Sequence, residues 1–416
     1  MGLFANKRTS SAPGAKRKAA LLGALAAVAS ASVLTAAPAS AEPPLYPVPD
    51  PDPFYAAPAD ISAHPDGAVL ESRPMPALPL FPGVTIQELK FRSTSSEGRP
   101  IAATSLVMLP ANRVPNGPLL SYQHIINGLS PKCAPSRALY SNDPNIIIRE
   151  APIMNVALQR GWTVLLPDHL GPNSAYGAAK LGGQITLDSI RAAQHTPSLG
   201  VEKSPVAMAG YSGGGMATAW AAALAPTYAP ELNIVGVAQG GVPMNITKMG
   251  QQLGNQPHPV FGLAMAAAIG LEREYPDRLP LSSQLNPRGI AIRNAMANGC
   301  TNDILAAGAG HSVPELATSL QLTTDPKIYA VGNENSVELY PGVPKAPIFE
   351  WHAPTDALIP VDSIINTNRR YCGAGVKLQA ELYPSPDHLT TAVLGAPAAL
   401  NYLDDRFKGV PAPSNC

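Results

Sequence analysis

Gly210-Tyr211-Ser212-Gly213-Gly214 is the stretch on which the reading of this chain turns. The pattern is G-x-S-x-G, and its flanks supply the context that the pattern needs. Pro205-Val206-Ala207-Met208-Ala209 is a short apolar run that reads as a buried strand, and residues 215–224, rich in Ala with one Trp, read as a helix. A serine at a sharp strand-to-helix turn has a strained backbone and an exposed hydroxyl, which makes it a nucleophile elbow. Gly210 and Gly214 leave room where strand and helix approach closely. In an Ala/Gly-rich protein the bare pattern also arises as a small-residue turn; the flanking strand and helix are what set this one apart.

Outward from the elbow, strands alternate with helices. Residues 85–92, 101–109 and 118–123 read as strands, 146–160 as a helix ended by Gly161, and Trp162-Thr163-Val164-Leu165-Leu166 as a buried strand stopped by Pro167 and Asp168. Residues 185–193 read as a helix and 232–238 as a further strand. Such alternation predicts a mostly parallel sheet covered by helices on both faces. The pattern breaks over 245–337, which reads as helical and loop-rich with a strongly apolar run at 262–270, and it resumes with a strand at 346–352, a helix at 360–371 and a strand at 376–383. A helical block between sheet strands reads as a cap over an active site. Residues 42–82 are Pro-rich and read as an extended arm. The expected organisation is therefore an arm at 42–82, an α/β core at 83–244 and 338–416, and a helical cap inserted at 245–337.

The first 41 residues read as a secretory leader. Lys7, Arg8, Lys16, Arg17 and Lys18 form a basic start, residues 19–36 carry no charge, and Ala39-Ser40-Ala41 is an A-x-A cleavage site, so export with cleavage after Ala41 is expected. The whole chain has 29 basic and 29 acidic residues; without the leader 24 basic residues face 29 acidic ones, a net of −5. A mildly acidic exported protein has no electrostatic case for binding nucleic acid. Four cysteines, Cys133, Cys300, Cys372 and Cys416, suggest two disulfides in an oxidising compartment, with three pairings open. No Cys/His cluster has zinc spacing, so neither a metal nor another cofactor is expected.

A serine hydroxyl needs a base, usually His, and a carboxylate that fixes the base's tautomer. Behind a strand–turn–helix elbow the acid and then the base follow the serine along the chain. Asp356 lies in the loop after the strand at 346–352, and His388 in the loop after the strand at 376–383; of the eight histidines only His388 follows Asp356. The rivals are His352, which precedes the acid, Asp362, which reads as part of a helix, and Asp387, which adjoins His388 and cannot easily reach its ring. A tetrahedral oxyanion needs two donors. The Gly213 N–H follows the nucleophile, and Asn127, in the loop after the strand that ends at Gln123, is the expected second donor through its backbone or its side-chain amide. Asn127-Gly128 also reads as a plain turn, and Asp168-His169, which precedes the elbow, reads as structural.

With these residues assembled, the chain resembles the secretory lipases of the lipase A type. The resemblance rests on Asp52-Pro53-Phe54-Tyr55, Ser121-Tyr122-Gln123, Cys133-Ala134-Pro135-Ser136, the elbow, the run from Tyr228 to Gly236, Trp351-His352-Ala353 with Asp356, and Asp387-His388-Leu389-Thr390. It implies an α/β-hydrolase fold with a helical cap and activity on carboxylic esters, with nucleophile, acid and base falling on Ser212, Asp356 and His388. It also implies the pairings Cys133–Cys300 and Cys372–Cys416. Two departures stand out. A characterised yeast member has Asp where this chain has Asn127, and the end of the chain, residues 408–416, is short. An amide donates a hydrogen bond at any pH, whereas a carboxyl must be protonated to do so. The expected substrate is a lipid ester, with the apolar run at 260–271 lining an acyl tunnel, touching a lipid interface, or simply forming the core of the cap. An acyltransferase or polyesterase on the same residues, and a non-catalytic lipid-binding surface protein, are the alternatives. Oligomeric state is not legible.

Overall fold

Alternate side chains of the central strands fill two cores, one on each face of a single sheet. Along β6 (Val206–Tyr211), Val206 and Met208 enter one core, whereas Ala207, Ala209 and Tyr211 enter the other. The same alternation separates Leu119 from Leu120 in β4 (Leu119–Gln123), and Ile348 from Phe349 and Trp351 in β8 (Ile348–His352). Strands buried on both faces are what a helix-covered parallel sheet requires. The computed structural model describes residues 42–319 and 325–416; the expected leader lies outside the described residues.

The remaining strands are β1 (Val69–Met75), β2 (Val84–Thr94), β3 (Pro100–Pro110), β5 (Thr163–Pro167), β7 (Ile234–Gly240) and β9 (Leu378–Leu382). The sheet has nine strands in the order β1-β2-β3-β5-β4-β6-β7-β8-β9. Strands β4 to β9 run parallel, and the β1–β2, β2–β3 and β3–β5 pairings are antiparallel. The helices Ala179–Gln194, Ser212–Tyr228 and Val361–Gly373 pack on one face, and Ala151–Gln159 and His388–Phe407 on the other.

Between β7 and β8 the chain leaves the sheet for a run of helices that includes Ile246–Gly254, Phe261–Glu274, Pro287–Met296, Thr301–Gly308 and Pro326–Glu334. Phe261–Glu274 is the buried member, and its Arg273 ties the insert to the body. The buried guanidinium donates to the carbonyls of Leu129 at 2.9 Å, Asn173 at 3.0 Å, Ala297 at 2.8 Å and Leu45 at 2.8 Å. Cys133–Cys300 makes a second tie, with Cα atoms 5.5 Å apart, and Cys372–Cys416 closes the carboxyl end at 5.4 Å; these are the pairings that the resemblance implied. Among the described residues no helix is long and apolar enough to cross a membrane.

Four local expectations differ from the structure. Part of the Pro-rich arm joins the sheet as β1; Pro74 is tolerated there because an edge strand leaves one side of its backbone unpaired. The helix expected at 146–160 is a π-helical turn, Asn145–Glu150, running into Ala151–Gln159; Pro152 lacks the N–H that would continue the ordinary ladder. The helix expected at 185–193 begins earlier, at Ala179, because Gly182-Gly183 weaken the sequence signal without ending the helix. Finally, His388 is not in a loop but opens a 20-residue helix, His388–Phe407, whose internal Pro397 hides it from a propensity reading.

Candidate active site

The parallel strands end together. Gln123 of β4 is in register with Gly210 of β6, Gly240 of β7 with Trp351 of β8, and His352 of β8 with Leu382 of β9. The segments leaving these strands therefore emerge along one edge, where open parallel sheets bind ligands. Those segments carry Asn127, Ser212, Asp356 and His388.

Ser212 is the first residue of the elbow helix and has φ 53°, one of three non-glycine residues in the left-handed region among those described. Such a conformation costs about 1–3 kcal/mol and persists only where the surroundings enforce it. Here the enforcement is steric. A side chain on Gly210 would lie 2.6 Å from the Gly214 carbonyl carbon, and one on Gly214 would collide with the Gln123 carbonyl oxygen. Strand, turn and helix are thus pressed together around the serine.

His388 Nδ1 lies 2.6 Å from Asp356 Oδ2. The other Asp356 oxygen accepts from the Leu358 N–H at 2.9 Å and the Ile359 N–H at 3.1 Å. Burial pushes the Asp356 carboxyl up, but the His388 and amide hydrogen bonds outweigh it and hold the group below the ordinary carboxylate value. A carboxylate on Nδ1 fixes the proton there and leaves Nε2 as the acceptor. That Nε2 is buried and makes no hydrogen bond. Tyr211, one residue before the serine, steadies the histidine from below: its hydroxyl donates to the His388 carbonyl at 2.6 Å, and the two rings pack with centroids 4.9 Å apart. Asp387 caps the histidine's helix by accepting from the Thr390 N–H at 2.8 Å.

The rivals are occupied elsewhere. Asp362 is exposed on the helix Val361–Gly373 and pairs with Lys248 at 2.8 Å. His352 is buried against Glu350, with Nδ1 2.8 Å from the carboxylate. Asp168 accepts from the Ser136 N–H at 3.0 Å and from the Thr104 hydroxyl at 2.5 Å. Burial lowers His169 and His124 to about 4, so both are neutral near neutral pH, and His169 Nε2 donates to the His124 carbonyl at 3.1 Å.

Asn127 stands beside the elbow. Its Oδ1 is buried without a partner, and a Cβ built on Gly213 would lie 2.9 Å from it. Turning the amide over presents Nδ2 at the same place. The Gly213 N–H belongs to the first turn of the elbow helix, where amides have no intrahelical acceptor. Next to it opens an apolar cavity of about 160 Å³, lined by Gly213, Met216 and Tyr176 from the body and by Ala264, Leu271 and Leu281 from the insert. Taken together, these groups can activate a hydroxyl, receive its proton and hold a developing oxyanion beside an apolar slot. The Tyr211 and Glu350 contacts were not foreseen. Tyr211 lies inside the elbow motif, but nothing in the motif says where its hydroxyl goes, and no spacing signal marks Glu350.

Comparison with known proteins places the chain among lipases. The sequence profile of the secretory lipase family matches residues 146–415. The chain is 33% identical to Lipase 4 of Candida albicans, over 88% of this chain and 83% of that protein. It is 32% identical, over 88% of this chain and 83% of the other, to a Mycobacterium tuberculosis protein described as a probable inactive lipase. Among solved structures, Candida antarctica lipase A in its closed state superposes with a TM-score of 0.83 at 29% identity, covering 89% of each chain.

Proposed function

The chain belongs to the secretory lipase family, and from that premise we propose that it is an exported serine hydrolase of lipid carboxylic esters working through Ser212, His388 and Asp356. The observation that carries this reading is the buried His388–Asp356 hydrogen bond of 2.6 Å, which leaves Nε2 free at the carboxyl edge where the strained Ser212 emerges. Ser212 Oγ attacks the ester carbonyl carbon while Nε2 takes its proton. The Gly213 N–H and the Asn127 amide stabilise the oxyanion; His388 then protonates the leaving alcohol, and an acyl-enzyme remains. Water gives a proton to Nε2 as it attacks the acyl carbon, His388 returns that proton to Ser212 Oγ as the Ser212–acyl bond breaks, and the acid departs. Asp356 stays ionised throughout and stabilises the imidazolium.

In this reading the insert at 245–337 is a cap, its apolar cavity receives the acyl chain, and it makes transient contact with lipid. Export rests on the leader expected at 1–41 with cleavage after Ala41; the two disulfides and the family's secretory character are consistent with it. An acyltransferase or polyesterase would use the same groups with a different acceptor or a more open site. A non-catalytic reading draws on the relative described as a probable inactive lipase, and against it stand the hydrogen-bonded pair and the strained serine. Hydrolysis of p-nitrophenyl esters from short to long acyl chains, with Ser212→Ala as control, tests the proposal. Turnover that falls by about 10⁴-fold or more in the variant supports it; turnover equal in the two proteins contradicts it.

A further inference from the structure

Asn127 Oδ1 is buried without a partner, so the position of the amide depends on the loop that carries it. That loop, residues 124–129, is held at its far end by the insert, where the Leu129 N–H donates to the Gly299 carbonyl at 2.9 Å and Arg273 reaches the Leu129 carbonyl. Its near end is held by two residues with no assigned role. Arg149 Nη2 donates to the Ile125 carbonyl at 2.9 Å, and the Ile125 N–H points at Glu150 Oε1 at a longer 3.4 Å. Both backbone groups of one loop residue are thus gripped by side chains of two successive residues.

The grip is stiff. Glu150 is buried, with one oxygen bound by the Arg149 guanidinium at 2.6 Å and the other accepting the Tyr122 hydroxyl at 2.7 Å. Tyr122 lies on β4, so the carboxylate joins the strand to the loop that leaves it. Arg149 and Glu150 close the π-helical turn Asn145–Glu150. A π turn is wider than an α turn and rotates successive residues by less, so two adjacent side chains converge on one target. Single π turns inside α-helices occur frequently at functional sites.

We infer that Arg149 and Glu150 are positioning residues that set the register of the oxyanion loop and hold Asn127, two residues beyond Ile125, against the developing oxyanion. This rests on the reading of Ser212 as nucleophile and Asn127 as donor. Oxyanion stabilisation is sensitive to position, because donors act only when they already sit where the charge develops. Acylation and deacylation both pass through an oxyanion at this place, so loosening the loop slows both steps together. The rate kcat falls, whereas KM, which depends on the ratio of the two steps, stays close to its wild-type value.

The test is p-nitrophenyl butyrate hydrolysis by the full exported chain and by Glu150→Gln, Arg149→Met and Arg149→Lys, each alone and combined with Asn127→Ala. Glu150→Gln and Arg149→Met are expected to lower kcat by about 10-fold or more with KM within about 2-fold, and Arg149→Lys to recover part of the loss. In the Asn127→Ala background the same substitutions are expected to change kcat by less than about 2-fold, because residues that act through one group are not additive. Wild-type kcat in Arg149→Met, or losses of equal size with and without Asn127, would overturn the inference. Should Glu150→Gln fail to fold, the Arg149 variants carry the same comparison. A wild-type enzyme insensitive to Ser212→Ala would instead overturn the underlying reading and is distinguishable from either result.

Discussion

Ser212 is half-buried and held in a backbone conformation that costs stability. Glycine adopts φ near 53° without that cost, so Ser212→Gly is expected to raise the free energy of unfolding by about 1 kcal/mol while removing hydrolysis. Thermal unfolding of the two proteins checks this, and an unchanged or lower Tm contradicts the strain argument. Asn127 makes a second prediction. Its amide donates at any pH, whereas a carboxylate in its place would lose the donor as pH rises through its own titration. Asn127→Asp is therefore expected to turn a flat kcat profile near neutral pH into one that declines with pH, by as much as about 10²-fold. A wild-type decline above neutral pH that Asn127→Asp leaves unchanged counts against Asn127 as the donor. Ser212, Asp356 and His388 were nameable from their order along the chain, and the structure places His388 on Asp356. Glu150 was not nameable, because its significance comes from Ile125, which is 25 residues away and marked by no motif.

The sheet strands were legible because alternating or continuous apolar runs ended by Gly and Pro have few other readings. The helices were less so. His388–Phe407 contains Pro397, and Ala179–Gln194 contains Gly182-Gly183; tertiary burial keeps both helical despite these residues. A helix N-terminus capped by Asp387 fixes His388 more firmly than a loop would. Phe261–Glu274 was visible as an apolar run, yet its sequence did not say whether that run faces lipid, substrate or its own core. In the structure it is largely buried, and it contributes Ala264 and Leu271 to the cavity beside Gly213. An indole at position 264 would fill that space. Ala264→Trp is expected to reduce hydrolysis of long-chain p-nitrophenyl esters by about 10-fold or more while short-chain turnover stays near wild type, since the lost acyl burial is worth about 0.8 kcal/mol per methylene. Equal losses across the chain-length series would show that the cavity does not receive the acyl group.

At the scale of the molecule, the mostly parallel sheet brings together residues from segments as far apart as 127 and 388, and it does so because six strands share one carboxyl edge. The fold class was legible, since only a few architectures satisfy that alternation of strands and helices. How the insert is fastened was not legible from the residues themselves. The cysteine count allows three pairings, and nothing in the sequence marks Arg273 as the donor to five backbone carbonyls. Those ties, with Cys133–Cys300, hold the insert against the loop that carries Asn127. We propose that this assembly makes Ser212 a nucleophile. Mass spectrometry of the folded protein after reaction with a fluorophosphonate tests it most directly. A single adduct is expected, mapped to Ser212, that forms far more slowly in His388→Ala and not at all in unfolded protein. A folded wild-type protein that takes up no label at Ser212 would contradict it.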